Sequence, residues 1–188
     1  MPSAVGYQPT LASEIGSFQE RIAATYDGSI TSIKAVYVPV VLFAHLDAVT
    51  FLSRGLASKG LYPAVDYFQW IDSSMQASTQ HYDLAISVRA MLLAHKELQD
   101  VIAVLGKEEL SLEDQAIVDR SRRMERFLTQ PLFVAESFTG QSGQYVSLSD
   151  TLAGAQLIMD GKCDHMNEDS FYMKGVLVVE LNLLNLKQ

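Results

Sequence analysis

The sequence predicts an α/β layer over residues 1–76 followed by an all-helical part over residues 77–188. Three observations carry that reading. In the first part the apolar patterns alternate between helical spacing and runs of β-branched residues, the order expected of helices layered on a sheet. From about residue 77 the apolar pattern turns helical. At 188 residues the chain can bury a real core, as one domain or two small ones.

The first helix follows Pro9 in PTLASEIGSFQERI, where Leu11, Ile15, Phe18 and Ile22 recur at helical spacing. SITSIKAVYVPVVLF (29–43) is rich in β-branched residues and reads as a strand, with Pro39 at its end or edge. AHLDAVTFLSRGLASKG (44–60) reads as a helix closed by Gly60. LYPAVDYF (61–68) is a short extended run, so the layer is part of a sheet rather than a whole one. Next comes a long helix with Leu84, Val88, Met91, His95, Leu98, Ile102 and Leu105 on one stripe, interrupted at Gly106. Ser111, three residues before Asp114, is a relative of the capping box and starts a second helix. Glu113 stands well against the positive end of that helix. It runs through Ile117, Ser121, Met124 and Leu128 and stops before Pro131. The two helices are expected to form an antiparallel hairpin with GKEELSLED (106–114) at its tip. SLSDTLAGAQLIMDGK is one more capped helix, with Gly161 past its end.

Charge narrows the partners. The formal net charge is −8, which argues against nucleic acid, because phosphate neutralisation needs a basic field. The single cysteine, Cys163, rules out an internal disulfide and fits a reducing compartment. No basic n-region followed by an apolar run marks a leader. The most apolar tract, VLVVELNLLNL (176–186), is too short to span a bilayer and Glu180 breaks it, so any membrane link is expected to be indirect.

Residue chemistry alone names no reaction. There is no G-x-S-x-G turn, and His45, His81, His95 and His165 have no Ser or Cys partner at an informative spacing. Cys163–Asp164–His165 is compact but lacks the ligand spacing of a zinc site, and no metal ligands are assigned. LGKE (105–108) and DGKC (160–163) lack the earlier glycine and following hydroxyl of a phosphate-binding G-x-x-x-x-G-K-[ST] loop. Arg120, Arg122, Arg123 and Arg126 read as a solvated face paired with carboxylates. Trp70 and the Tyr67–Phe68 pair read as core or interface.

The acidic stretch carries a resemblance. LQDVIAVLGKEELSLEDQAIVDRSRRMERFLTQPLFVAESFTG resembles the C-terminal part of the catalytic β subunit of the F-type, proton-translocating ATP synthase. That family has D-E-L-S-E-E-D where this chain has E-E-L-S-L-E-D. PSAVGYQPTLASEIGSFQERI, GSITSIKAVYVP, FAHLDAVTFLSRGLASKGLYPAVD, QHYDLA and FYMKG follow in family order, up to about Gly175.

The resemblance implies a remnant of a RecA-like nucleotide-binding domain followed by a C-terminal helical-bundle domain. It implies ATP or ADP with magnesium as ligands, and α subunits and the central-stalk γ subunit as partners. The activity implied is ATP synthesis or hydrolysis coupled to proton transport, at the periphery of an energy-transducing membrane. LSRGLASKGLYPAVD leans toward plastid thylakoid or bacterial versions rather than mitochondrial ones. Carried over residue by residue, Tyr62, Pro63, Leu132, Ala135 and Phe138 fall in the adenine pocket, with Tyr62 and Phe138 as aromatic faces. Leu132 stands where the family usually has phenylalanine. Glu108, Glu109, Glu113 and Asp114 fall at the stalk contact, with Leu112 in place of another acid.

The resemblance also has departures. The chain begins downstream of the family's β-barrel, P-loop, catalytic glutamate and magnesium-linked aspartate, so no catalytic residue is assigned and the chain alone is expected to be inactive. YVPVVLFAHLDA shortens a polar family loop, DYFQWIDSSMQASTQHYD replaces another segment, and GVLVVELNLLNLKQ replaces a lysine-rich end. The alternative to a working piece of the synthase is a non-catalytic, truncated or degenerate β-like protein acting at most as an assembly or binding module.

Overall fold

The computed structural model describes residues 9–37, 46–72 and 78–177. They fall in two compact units, one of residues 1–49 with 71–74, the other of residues 50–70 with 75–188.

In the first unit, α1 (Leu11–Gln19) is the helix expected after Pro9. Thr10 Oγ1 donates to Glu14 Oε1 at 2.9 Å across its first turn, and Lys34 Nζ lies 4.8 Å from the centre of the Phe18 ring. The strand expected over 29–43 is not formed by its described residues, 29–37. They make one isolated bridge, Ala24 to Ser29, and leave Ile33 and Tyr37 almost fully exposed. β-branched composition favours extended backbone, but a strand exists only where a second chain segment takes its hydrogen bonds, and among the described residues none does. Residues 38–43 of that run, with 44–45 and His45, lie outside the described residues.

The helix expected over 44–60 is divided. Ala48–Leu52 is strand β1, paired with β2 (Val65–Asp72) in a two-stranded sheet. Val49, Thr50 and Phe51 are strand formers, and a five-residue run with four apolar side chains has no helical periodicity strong enough to resist pairing. Only Arg54–Ser58 is helical (α2), capped by Ser53, whose Oγ accepts from Leu56 N. Gly60 closes it with φ +78, a conformation in which a Cβ is strained.

The second unit is dominated by α3 (Thr79–Leu105), α4 (Leu112–Phe127) and α6 (Leu148–Met159), which pack on one another. A four-residue α5 (Glu136–Thr139) lies between the last two. Each long helix starts on a serine whose Oγ takes a backbone N–H three residues on: Ser78 from His81, Ser111 from Asp114, Ser147 from Asp150. Ser111 and Ser147 also donate to the carboxylates of Asp114 and Asp150 at 2.7 Å, which draws negative charge to the helix start.

The core joins Leu84 of α3, Met124 and Phe127 of α4, Ala155 and Ile158 of α6, and Cys163, Phe171 and Leu177 beyond them. Full burial of side chains such as Met124, Ile158 and Phe171 stabilises by about 1.5–3 kcal/mol each. Ser121, fully buried, lets α3 and α4 approach until its Oγ donates to Met91 O at 3.3 Å. Gly154 packs flat against the Phe127 ring, where a Cβ would lie 2.5 Å from Cζ. The fold is thus a small two-stranded sheet with a helical domain, as expected for a remnant nucleotide-binding domain followed by helices.

Candidate functional site

Two places gather the residues singled out in the sequence. The first is built on the loop after α2. Tyr62 and Pro63 are joined by a cis peptide bond, and both are exposed. Gln130 N donates to Tyr62 O at 2.8 Å, which sets the loop beside the segment leading into Leu132. From there the chain makes a 3-10 turn, Phe133–Ala135, then α5, and folds back. Gln144 N donates to Pro131 O at 3.1 Å, and Glu136 Oε1 accepts from Gly143 N at 2.7 Å and Ser142 Oγ at 3.3 Å. Gly143 lies so close to the Phe133 backbone that a Cβ would sit 2.5 Å away.

The loop closed by these bonds carries Leu132, Ala135 and Phe138. Ala135 is half-buried, Leu132 is 37% exposed and Phe138 90% exposed. The Tyr62 segment and the Leu132 segment are brought together, while the Phe138 ring stands free of cover. Phe133 and Val134, 62% and 81% exposed, add apolar surface that the sequence reading missed. Their signal was local, the unbroken apolar run Leu132–Ala135. These exposed aromatic and aliphatic faces offer apolar surface on which a flat ring can stack.

The second place is the tip. α3 and α4 form the expected antiparallel hairpin, with Met91 opposite Ser121 and a short connection between them. Gly106 turns out of α3 with φ +89 and ψ +160, and Lys107–Glu109 is one 3-10 turn. Lys107 Nζ pairs with Asp119 Oδ1 at 2.6 Å, and Gln115 Nε2 donates to Leu110 O at 2.9 Å. These bonds fix the turn on the first part of α4. Glu108, Glu109 and Glu113 are exposed and Asp114 is half-buried in its cap. Leu112 is 83% exposed between them, with Val104 and Leu105 exposed on the α3 side. The tip therefore presents carboxylates around apolar side chains.

Three of the four arginines of α4, Arg120, Arg123 and Arg126, are structural. Arg120 binds the Asp164 carboxylate. Arg123 donates to Met166 O and Asp164 O at 3.0 and 2.7 Å, and Arg126 pairs with Glu168 and Asp169 at 3.3 and 2.8 Å. Asp164 of the Cys163–His165 cluster is thus committed to ion pairing, and hydrogen bonding from Arg120 holds its carboxyl below the usual range. Burial pushes the Cys163 thiol up, away from reactivity.

A second polar group lies under β2. Arg89 Nη2 donates to Phe68 O at 3.0 Å, and Lys96 Nζ sits 4.5 Å from the Phe68 ring centre. Tyr67 is pushed up to about 12 by burial, aided by the nearby Glu125. Burial also raises the Glu125 carboxyl, against the pull of Lys59, Arg122 and Arg126. Among the described residues, no group of three or more His, Cys, Asp or Glu is placed to hold a metal ion.

Comparison with known proteins gives these places a context. The ATP synthase alpha/beta family, nucleotide-binding domain, matches residues 1–71. The C-terminal domain of V and A type ATP synthase matches residues 73–167, more than half of the chain. Among solved structures, a unique ATP synthase subunit, NeqB from Nanoarcheaum equitans, is similar with a TM-score of 0.72 and 23% identity. The likeness covers 85% of this chain and 41% of that one, and at this identity it speaks for a shared fold. On the two sequence matches, which meet where the sheet gives way to the helices, the chain belongs to the ATP synthase family, with the C-terminal domain of the V and A type preceded by alpha/beta nucleotide-binding sequence.

Proposed function

We propose that the chain is part of a β-type subunit of an F-type, proton-translocating ATP synthase, supplying the adenine side of the nucleotide pocket and the acidic tip that meets the central stalk. In this reading residues 1–76 belong to the RecA-like domain and residues 77–188 to the helical domain. The observation that carries it is the tip. E-E-L-S-L-E-D stands at the turn of a two-helix lever, with Glu108, Glu109 and Glu113 turned to solvent and Leu112 83% exposed among them. Charge there sets approach and register against a partner, and the apolar side chain supplies the contact.

Mechanically, a push on the tip acts on α4, and Gln130, just beyond α4, holds the carbonyl of Tyr62. Movement at the tip would therefore reach the loop that carries the base-stacking ring. Tyr62 and Phe138 would offer faces to the adenine of ATP or ADP, with Pro63, Leu132 and Ala135 as apolar neighbours. No G-x-x-x-x-G-K-[ST] run occurs in residues 1–188, and no magnesium ligands are assigned, so no phosphoryl-transfer step is placed on these side chains. Partners in this reading are the α subunits and the γ stalk. The place is the periphery of an energy-transducing membrane, plastid thylakoid or bacterial. No helix of the described residues is long and apolar enough to cross a membrane.

The test places a photo-crosslinker at Leu112 in cells that assemble an F-type synthase. The expected product joins the chain to γ, and replacing Glu108, Glu109, Glu113 and Asp114 by their amides should weaken it. Crosslinks confined to proteins outside the synthase would sink the reading. Residues 1–188 alone should hydrolyse ATP no faster than a no-protein blank, and turnover lost on Tyr62→Ala would overturn that. The match of residues 73–167 to the V and A type domain favours a second reading, a subunit of an A-type synthase. Capture of a V- or A-type stalk subunit in place of γ would carry it.

A further inference from the structure

Three segments distant in sequence close a ring of hydrogen bonds beneath the Tyr62 loop. Tyr172 Oη donates to Gly60 O at 2.8 Å. Gln130 N donates to Tyr62 O at 2.8 Å. Met173 N donates to Thr129 Oγ1 at 3.1 Å, and the hydroxyl of Thr129, 1% exposed, donates in turn to Arg126 O. Residues 172–173 therefore hold both walls of the candidate base site, Gly60–Tyr62 on one side and Thr129–Gln130 on the other.

Two further features show that this position is enforced. Met173 has φ +55, a left-handed conformation that a side-chain-bearing residue adopts only when its surroundings over-determine it. Gly60 has φ +78, and a Cβ there would come 3.3 Å from the Tyr172 hydroxyl, so the two were fitted to each other at contact distance. The Arg126 guanidinium lies 5.9 Å from the Tyr172 ring centre and steadies it from α4.

We infer that Tyr172 is a positioning residue for the base site: its hydroxyl, by holding Gly60 O, sets the Tyr62 ring against the Leu132 segment. This rests on the adenine reading of Tyr62. It makes the stretch after α6 a working part of the nucleotide pocket. A hydrogen bond of this kind, worth about 0.5–1.5 kcal/mol, corresponds to a roughly twofold to tenfold change in affinity.

The experiment measures ADP binding to the full chain and to Tyr62→Ala, Tyr172→Phe and the double variant, with melting curves for each. Binding should weaken in Tyr172→Phe by about twofold to tenfold and further in Tyr62→Ala. In the Tyr62→Ala background, Tyr172→Phe should add nothing, because it acts only through that ring, whereas a merely structural loss would add in both backgrounds. Absence of ADP binding, or binding indifferent to Tyr62→Ala, overturns the adenine reading and this inference with it. Binding that needs Tyr62 but is unchanged in Tyr172→Phe overturns this inference alone. Should Tyr172→Phe fail to fold, amide exchange on the natural chain decides. ADP should slow the Gln130 and Met173 amides together, and slowing at Gln130 alone would count against the ring.

Discussion

Arg120 meets Asp164 side-on. Its Nε donates to both carboxylate oxygens at 3.0 Å and its Nη2 donates to Oδ2 at 2.6 Å. The pair ties α4 to the turn after α6, and Arg123 adds a second cation 3.5 Å from the same carboxylate. Asp164→Asn should therefore cost more than Arg120→Ala, since it unpairs two cations. Both groups are partly exposed, so the expected losses are about 1 kcal/mol and shrink at high salt. Urea midpoints of the two single variants and the double variant, at low and high salt, measure the coupling. Because the folded Asp164 carboxyl is held below its ordinary range, its contribution is full above that range and fades as pH falls through the lowered value.

His95 should make stability acid-sensitive. It is 5% exposed, and burial first, then Arg122 from α4 and Lys59 at the end of α2, hold its imidazole below the ordinary value. The folded state thus binds fewer protons than the unfolded one, and stability is lost as pH falls through about 6.5. Glu125, raised by burial, works the other way, losing stability as pH rises above the ordinary carboxylate range. Comparison with His95→Gln isolates the histidine. The natural chain's advantage in unfolding free energy over the variant should narrow between about pH 7.5 and about pH 5.5, and a constant difference would contradict the assignment.

Gly154→Ala gains helix propensity of about 1 kcal/mol yet should destabilise. The added methyl would meet the Phe127 ring at 2.5 Å in the centre of the α4–α6 contact, where overpacking costs about 1–3 kcal/mol. Thermal melts of Gly154→Ala alone and with Phe127→Leu should show the smaller ring relieving the strain.

At the tip, stability and contact should separate. Ser111→Ala removes the cap on Asp114 N and should cost about 1 kcal/mol. Glu108→Gln and Glu109→Gln leave exposed positions and should move the melting free energy by less than about 0.5 kcal/mol. Calorimetry on the three variants checks the contrast, and a large loss in either glutamate variant would show that these carboxylates serve the fold.

The helical half was legible because its signals are local. Ser111 three residues before Asp114 and the stripe through Leu84, Val88, Met91 and His95 reappear as a cap and as the face of α3 turned to the core. The stripe fails at its end: Leu105 is 61% exposed, since the hairpin runs on past the core toward the tip. The two helical stripes also omit Leu92 of α3 and Val118 and Phe127 of α4, which widen the contact beyond a single line of residues because α3 and α4 each meet more than one neighbour.

By itself the sequence determined where the long helices start and stop, the acidic tip, and membership of the ATP synthase family, though not the V and A type of its C-terminal domain, because caps, 3.6-residue periodicity and motif order all act within a few positions of each other. Only the tertiary structure decided that Ala48–Leu52 pairs as a strand, that Arg120, Arg123 and Arg126 answer Asp164, Glu168 and Asp169, and that Tyr172 reaches Gly60. The arginine and tyrosine partners lie 41 to 112 positions apart. Their pairing depends on the whole core bringing them within hydrogen-bond reach, and no local spacing encodes it.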